Sequence, residues 1–260
     1  MPDRADRAYS FGQIADDYDR YRPGPPLEAV RWVLGEDRNR VLDLGAGTGG
    51  LTRSLVLLAP HVVASEPDAR MRGVLARRSA GAMVVGAVGE QLPLADGTVD
   101  GVVASSSWHW MDPAIAGADV ARVLRVGGVF GLLWSGPDRR VAWVADLLGR
   151  RRSQAWGDGA AQRQRQRQRR TMVLPAHLPF TERETTVVEF AITANVDDLA
   201  GLSGTFSVAI GGGGPERDAR IEAVRERART HPALEEGAVE LPMACRCWRA
   251  YRTEGSPEPA

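Results

Sequence analysis

The residues best equipped for chemistry crowd into one stretch, Val41-Leu42-Asp43-Leu44-Gly45-Ala46-Gly47-Thr48-Gly49-Gly50. Glycines that directly follow an apolar run let the backbone approach a ligand, and the helix after them offers unpaired N–H groups. Gly45, Gly47 and Gly50 satisfy the GxGxxG spacing, and Glu66, 21 residues beyond Gly45, stands where a ribose-binding acid is needed. Glu66 also reads as a helix cap or surface residue before Pro67. The glycines and Glu66 therefore leave hydride transfer and group transfer both open. Asp43 helps to separate them. A strand buried on both faces has little reason to carry a carboxylate near its carboxyl end. At the binding edge of an open α/β sheet such a group would meet a cationic ligand, directly or through water. Its plainer reading is a brace for the glycine turn.

These residues need a sheet to hold them. From Arg40 to Ser135 short β-rich runs alternate with longer helical ones, the pattern of parallel strands with crossover helices. Strands are expected at Arg40–Leu44, His61–Ser65, Met83–Ala87, Gly101–Ser105 and Val129–Trp134. Helices are expected at Gly50–Leu58, Asp68–Arg78 and Ala114–Leu124, the last ended by a turn at Gly127-Gly128. Two helices should precede this core, one carrying Phe11, Ile14, Tyr18 and Tyr21, the other running from Pro26 to Leu34. After it come a helix over Val141–Leu148, strands at Thr185–Ile192 and Ala244–Tyr251, a glycine loop at Gly211–Gly214 and a polar helix at Glu216–Arg229.

Composition narrows the classes. In 260 residues the charged share is 25% and the formal net charge is zero, so nothing global favours nucleic acid or an anionic membrane. No apolar run approaches the roughly 20 residues of a membrane span, and the charged start Met1–Arg7 is unlike a signal peptide; a cytoplasmic protein is expected. All 33 basic residues are arginine, which removes lysine as a Schiff base or P-loop ligand. The two cysteines, Cys245 and Cys247, would point the same way from a strand, where a disulfide would be strained; free thiols are expected. No metal site is expected.

In this setting the glycine segment resembles motif I of class I methyltransferases, which use S-adenosylmethionine, a ligand carrying an ammonium and a sulfonium. Other pieces match in order. Glu66-Pro67 resembles the acid after strand two that takes the ribose hydroxyls. Val88-Gly89-Glu90-Gln91-Leu92-Pro93-Leu94 resembles the segment beside the adenine, Val99 to Ser105 the strand-four motif, and Leu124-Arg125-Val126-Gly127-Gly128 the turn before strand five. Phe11 to Tyr18 with Arg22-Pro23 is similar to the N-terminal lid of a small-molecule subgroup, that of trans-aconitate methyltransferase-like proteins. Ser107-Trp108-His109-Trp110-Met111-Asp112 and Thr205-Phe206-Ser207 resemble stretches of the same subgroup. Val88 departs from it by replacing an acid, which would leave the adenine amino group to backbone or to Glu90. Val126 replaces a proline.

The resemblance implies one α/β domain: a Rossmann-like doubly wound sheet of seven strands in the order 3-2-1-4-5-7-6, with the last strand antiparallel. Residues 1–37 would be lid helices, 38–137 the cofactor core, 138–180 a small cap insertion and 181–260 the completion of the sheet. The implied cofactor site comprises Tyr18, Arg22, Asp43, Gly45, Ala46, Gly47, Gly49, Glu66, Pro67, Val88, Gly89, Glu90 and Ser105, with Tyr18 and Arg22 on the methionine carboxylate. Trp108, Trp110, Trp134 and Thr205 would face the substrate, a small molecule of secondary metabolism. Trp143 and Trp156 are further aromatic candidates, though core packing is the default for any single tryptophan. His109 reads equally as a general base, a substrate-orienting group or a packed residue. The tract Gln162 to Arg170 alternates arginine and glutamine but lacks the aromatics of a single-strand binder, and reads as solvated. Cofactor affinity should not depend on it. No nucleic-acid or membrane partner is expected, and a monomer and a homodimer stay equally open. Two other readings remain, a methyltransferase-like protein with a non-methylating role and a nicotinamide-dependent oxidoreductase.

Overall fold

The computed structural model describes residues 10–149, 174–210 and 213–255. The Gln162 to Arg170 tract, Trp156, most of the expected cap and half of the glycine loop lie outside them. Seven strands form one mixed sheet in the order β3-β2-β1-β4-β5-β7-β6. They are β1 (Arg40–Leu44), β2 (His61–Ser65), β3 (Ala82–Val85), β4 (Val99–Ser105), β5 (Leu124–Pro137), β6 (Glu184–Asn195) and β7 (Ala238–Tyr251). Strands β1 to β5 pair in parallel. At the start of β5, Gly127 N–H donates to Arg252 O (2.9 Å) while Arg252 N–H donates to Gly128 O (2.8 Å), so β7 runs antiparallel to it.

The described chain divides into two compact units. One holds Gly24–Ser135 together with the described parts of Arg170–Val188 and Cys245–Ala260. Here the parallel strands are near-continuous apolar runs, as strands covered on both faces must be. Leu42, Leu44, Val102, Ala104, Phe130 and Leu132 pack with Val120, Val123 and Trp248. Helix α2 (Leu27–Leu34), expected as part of a lid, is instead a layer of this unit: a Cβ at Gly131 would come within 1.9 Å of Val33 Cγ1. The short α3 (Thr52–Leu55) follows β1. Helix α4 (Ala69–Arg78) starts where Asp68 Oδ1 accepts the N–H groups of Arg70 (2.8 Å) and Met71 (3.3 Å). Helix α5 (Pro113–Val123) starts likewise at Asp112, with Pro113 in its first turn.

The other unit comprises the described parts of Met1–Pro23, Gly136–Arg169 and Glu189–Ala244. A 3-10 turn (Ser10–Ile14) leads into α1 (Ala15–Tyr21), which packs on α7 (Val196–Gly204). The packing is close: a Cβ at Gly201 would lie 2.6 Å from the Tyr21 ring. Helix α6 (Ala142–Leu148), α8 (Ser207–Ile210) and α9 (Gly214–Arg229) complete the unit, around Val144, Leu148, Leu199, Leu202 and Val224.

Several expectations shift. Strand β5 runs past Trp134 to Pro137 and begins at Leu124, so Gly127 is no turn before the strand. With φ +75 it sits inside β5, where the pairing with β4 shifts register between Val99 and Gly101, as at a bulge. Helix α7 was not expected, although Asn195 and Asp198 make a reciprocal capping box at its start. Cys245 and Cys247 are buried free thiols, with sulfurs 4.0 Å apart.

Candidate active site

Register brings the chemistry together. Leu44 pairs with Ser65 at the ends of β1 and β2, and Asp43 pairs with Val103 of β4. The segments that leave these strands, Gly45–Gly50, Glu66–Asp68 and Ser106–Met111, therefore emerge at one carboxyl edge. Strand order reverses there, since the chain goes outward through β2 and β3 and returns to β4 on the other side of β1. Ligands bind at such a switch point.

The glycines of the turn divide by task. Gly45, Gly47 and Gly49 all have positive φ, +66, +60 and +94. A Cβ on Gly45 would strike Ser107 Cβ at 2.7 Å, and one on Gly49 would strike Ser79 Oγ at 2.3 Å and Leu75 Cδ1 at 2.9 Å. Those two are small because the protein packs on them. A Cβ on Gly47 would meet only Met71 Cε, at an ordinary 3.6 Å, so the space beside it is open to a ligand.

The two acids differ as well. Glu66 Oε2 accepts the Gly47 N–H and Oε1 the Asp68 N–H, both at 2.9 Å, so its carboxylate joins the first loop to the second. Arg72 braces that second loop through the carbonyls of Glu66 (2.8 Å) and Pro67 (2.9 Å). Burial raises the Glu66 carboxyl above its usual value, against the two backbone donors. Asp43 is fully buried; its Oδ2 accepts the Thr52 hydroxyl at 2.6 Å, and Oδ1 has no partner among the described residues. Burial pushes its carboxyl up to about 7, Glu66 adds to the rise, and the Thr52 bond opposes it. So Asp43 braces α3 against β1 and still keeps one oxygen free. An orphaned carboxylate oxygen and an open glycine beside a loop acid fit a cationic, adenosine-bearing cofactor.

A stability prediction follows from Asp43. The folded chain holds this proton more tightly than the unfolded chain does, so stability falls as pH rises from about 4 to about 7 and levels off above. Asp43→Asn is expected to remove that part of the slope. Urea unfolding of both proteins across this range checks it; parallel curves would show that Asp43 stays ionised.

The third segment starts under strain: Ser106 has φ +57, uncommon for a residue with a side chain. Ser107 Oγ donates to Leu44 O (2.6 Å) and ties the segment to the end of β1. His109 lies against Trp110 (ring centroids 4.2 Å) and Trp134 (4.9 Å), all three half-buried. Trp108, expected to face the substrate, points into the core at 2% exposure against Phe130. In the segment after β3, a Cβ on Gly89 would lie 2.4 Å from Met111 Sδ, so the methionine side chain would have to shift. Val88 is 40% exposed, and Glu90 Oε1 already accepts the Asp112 N–H at 2.8 Å. Ala46 is buried, with its N–H on Ser65 O (2.9 Å), and Ser105 ends β4 half-buried.

Tyr18, Arg22 and Thr205 belong to the other unit. The Arg22 guanidinium lies over the rings of Tyr18 (5.9 Å) and Phe206 (5.5 Å). Thr205, expected to face the substrate, is buried, with its hydroxyl turned to Leu202 O (2.7 Å); it finishes a helix. Sequence reasoning passed over Thr52, Ser107 and Met111. Thr52 sits in the first helical turn after the glycines, which is the one signal that marked it. Among the described residues no cluster of three metal-binding side chains occurs, and no helix is long and apolar enough to cross a membrane.

Comparison with known proteins agrees with this geometry. The family described as methyltransferase domain matches residues 42–132. An uncharacterised methyltransferase of Mycobacterium tuberculosis is 39% identical over 253 residues, 95% of this chain and 97% of its own. A malonyl-[acyl-carrier protein] O-methyltransferase of Laribacter hongkongensis is 38% identical over 155 residues, half of each chain. Among solved structures, a protein of Anaeromyxobacter dehalogenans assigned as a type II methyltransferase superposes with a TM-score of 0.61 at 24% identity, over 89% of this chain and 98% of its own. The full-length likeness to a methyltransferase, joined to the seven-stranded switch-point fold, shows that the chain belongs to the class I S-adenosylmethionine-dependent methyltransferases.

Proposed function

We propose that this methyltransferase acts on a small molecule, held at the carboxyl edge of the sheet beside His109, Trp110 and Trp134. The observation that carries the reading is that imidazole–indole wall, fixed on the end of β1 by Ser107 and half-open where β4 ends. Aromatic faces suit a flat or apolar acceptor. When bound, S-adenosylmethionine supplies an activated methyl group on a sulfonium. The chain's own residues then bind and orient. Asp43, buried beneath the turn, acts on the cofactor's positive end through its charge and not by contact, Gly47 leaves room for the backbone approach, and Glu66 offers an acceptor to the ribose hydroxyls. His109 would take a proton from the acceptor as the new bond forms, and the half-buried rings around it limit water. Gly45, Ala46, Gly49, Pro67, Gly89 and Ser105 shape this cradle, and Val88 and Glu90 border the adenine.

The test is a transfer assay with S-adenosylmethionine labelled in its methyl group, run against a cell extract split by size. The label is expected in the small-molecule fraction. Label confined to protein or nucleic acid would overturn the reading. Organic acids belong in the first panel of pure acceptors, given that the Laribacter hongkongensis relative is named a malonyl-[acyl-carrier protein] O-methyltransferase. Products of secondary metabolism come next.

Glu66→Ala should weaken the cofactor by roughly tenfold to a hundredfold, the loss of a hydrogen bond from a charged partner worth about 1.5–3 kcal/mol. Calorimetry on the folded variant checks it. Wild-type affinity would mean that Glu66 only joins the two loops.

A further inference from the structure

His109 and Trp110 lie in the middle of a span, residues 106–112, that is fastened at both ends to the loops of the cofactor site. At its start Ser106 N–H donates to Leu133 O (2.9 Å), and Ser107 Oγ donates to Leu44 O (2.6 Å) just before the glycine turn. At its end the span reaches the segment after β3. Asp112 N–H donates to Glu90 Oε1 at 2.8 Å, while Asp112 Oδ1 caps α5 through the N–H groups of Ala114 (2.9 Å) and Ile115 (3.3 Å). Met111 adds a second fastening there. It is 8% exposed, and its thioether lies between two loops that follow different strands. A Cβ on Gly45 would come within 3.2 Å of Met111 Cε, and one on Gly89 within 3.0 Å of the same atom. One unbranched side chain thus packs on the turn after β1 and on the segment after β3 at once.

Between these fastenings the chain is the 3-10 turn Trp108–Trp110, closed by Trp110 N–H on Ser107 O (3.0 Å) and Met111 N–H on Trp108 O (3.2 Å). So short a turn, with the poorer bond geometry of its kind, does not fix its own place. Its ends fix it. Ser107 holds one end, and Glu90 with Met111 holds the other. The Glu90 bond is a strong one, since a backbone N–H meets a carboxylate that is half-buried. Methyl transfer depends on such holding, because displacing a reacting group by about 1 Å costs on the order of a hundredfold in rate.

We propose that Met111 and Glu90 are positioning residues for the transfer, holding His109 and Trp110 in place against the cofactor loops and acting on the acceptor only through those two rings. In this role Glu90 needs an acceptor oxygen and not its charge. Met111 needs its volume and reach and not its sulfur. That the two rings serve the acceptor rests on the function proposed above; the fastening of the span does not.

The experiment measures initial rates of label transfer from methyl-labelled S-adenosylmethionine, at saturating concentration, into unfractionated cell extract. Glu90→Ala and Met111→Ala should each lower the rate about tenfold or more. Glu90→Gln, which keeps an oxygen for the Asp112 N–H, and Met111→Leu, which keeps the volume, should stay within about threefold of the wild type. In protein carrying His109→Ala and Trp110→Ala, with no rings left to position, the same two alanine substitutions should cost less than about threefold. Full losses in that background overturn the proposal, as do unchanged rates in the alanine variants or failure of glutamine and leucine to restore the rate. A loss that disappears as the cofactor concentration is raised overturns it too, by giving both residues to cofactor binding. If the background protein transfers no label, rescue by Glu90→Gln and Met111→Leu decides. If circular dichroism shows Met111→Ala unfolded, the Glu90 pair decides, since that side chain is half-exposed. The small-molecule reading fails separately, by label appearing in protein or nucleic acid, and such a result leaves these rate comparisons intact.

Discussion

Gly47→Val is expected to leave a folded protein that no longer binds S-adenosylmethionine measurably, a loss on the order of a hundredfold or more in affinity, since each tenfold is about 1.4 kcal/mol. A side chain at φ +60 costs about 1–2 kcal/mol, a minority of the roughly 5–15 kcal/mol by which a domain is stable. The protein itself has room for a Cβ there, so the harm falls on the ligand. Gly49→Ala is a smaller change with the opposite outcome. Its Cβ would drive into Leu75 on α4 and Ser79 just after it, and the melting temperature should fall well below that of Gly47→Val. Circular dichroism melts and calorimetry with the cofactor separate the two variants. Wild-type affinity in Gly47→Val would move the cofactor away from the turn.

His109→Ala should lower turnover by roughly a hundredfold or more if the imidazole accepts a proton, the usual contribution of a general base. Cofactor affinity should barely change, because the residue follows β4 and is packed between Trp110 and Trp134, whereas Glu66 and the glycine turn follow β2 and β1. The pH–rate profile distinguishes proton transfer from positioning. A base gives an acidic limb in the wild type that vanishes in the variant, while a positioning residue gives a smaller loss and no change of shape. Undiminished activity would remove His109 from the chemistry and leave alignment of the acceptor to explain the rate. Trp108→Phe serves as a contrast. That ring is buried in the core, so the substitution should cost stability and leave the Michaelis constant alone.

Much of the cofactor half was readable from the chain because its signals are local. A glycine turn after an apolar run, an acid at the next strand's end and a helix cap at Asp68 each follow from backbone sterics or hydrogen bonding within a few residues. These marked the first five strands as parallel and picked out the segments that follow them, while the order of the strands came from the family resemblance. Element ends were less legible. Strand β5 keeps pairing through Ser135 and Pro137 although its apolar pattern stops, and Gly127 is a bulge inside it because the pairing partner, not the glycine, sets the register there.

The sequence by itself determined a glycine turn after β1 and an acid after β2 on a parallel α/β sheet, since those residues act through their own backbone neighbourhood; the family resemblance supplied the methyltransferase class. Only the tertiary structure decided which side chains of a motif face inward. Trp108 and Trp110 are two residues apart, yet one fills the core and the other stays half-exposed on His109, because a 3-10 turn sends them to different sides. It likewise separated the glycines into those that packing requires and the one that leaves open space. And it gathered Arg22, Arg139 and Arg220 from distant parts of the chain around Phe206, a convergence with no local signature, since charge density in space depends on the fold and not on spacing along the chain.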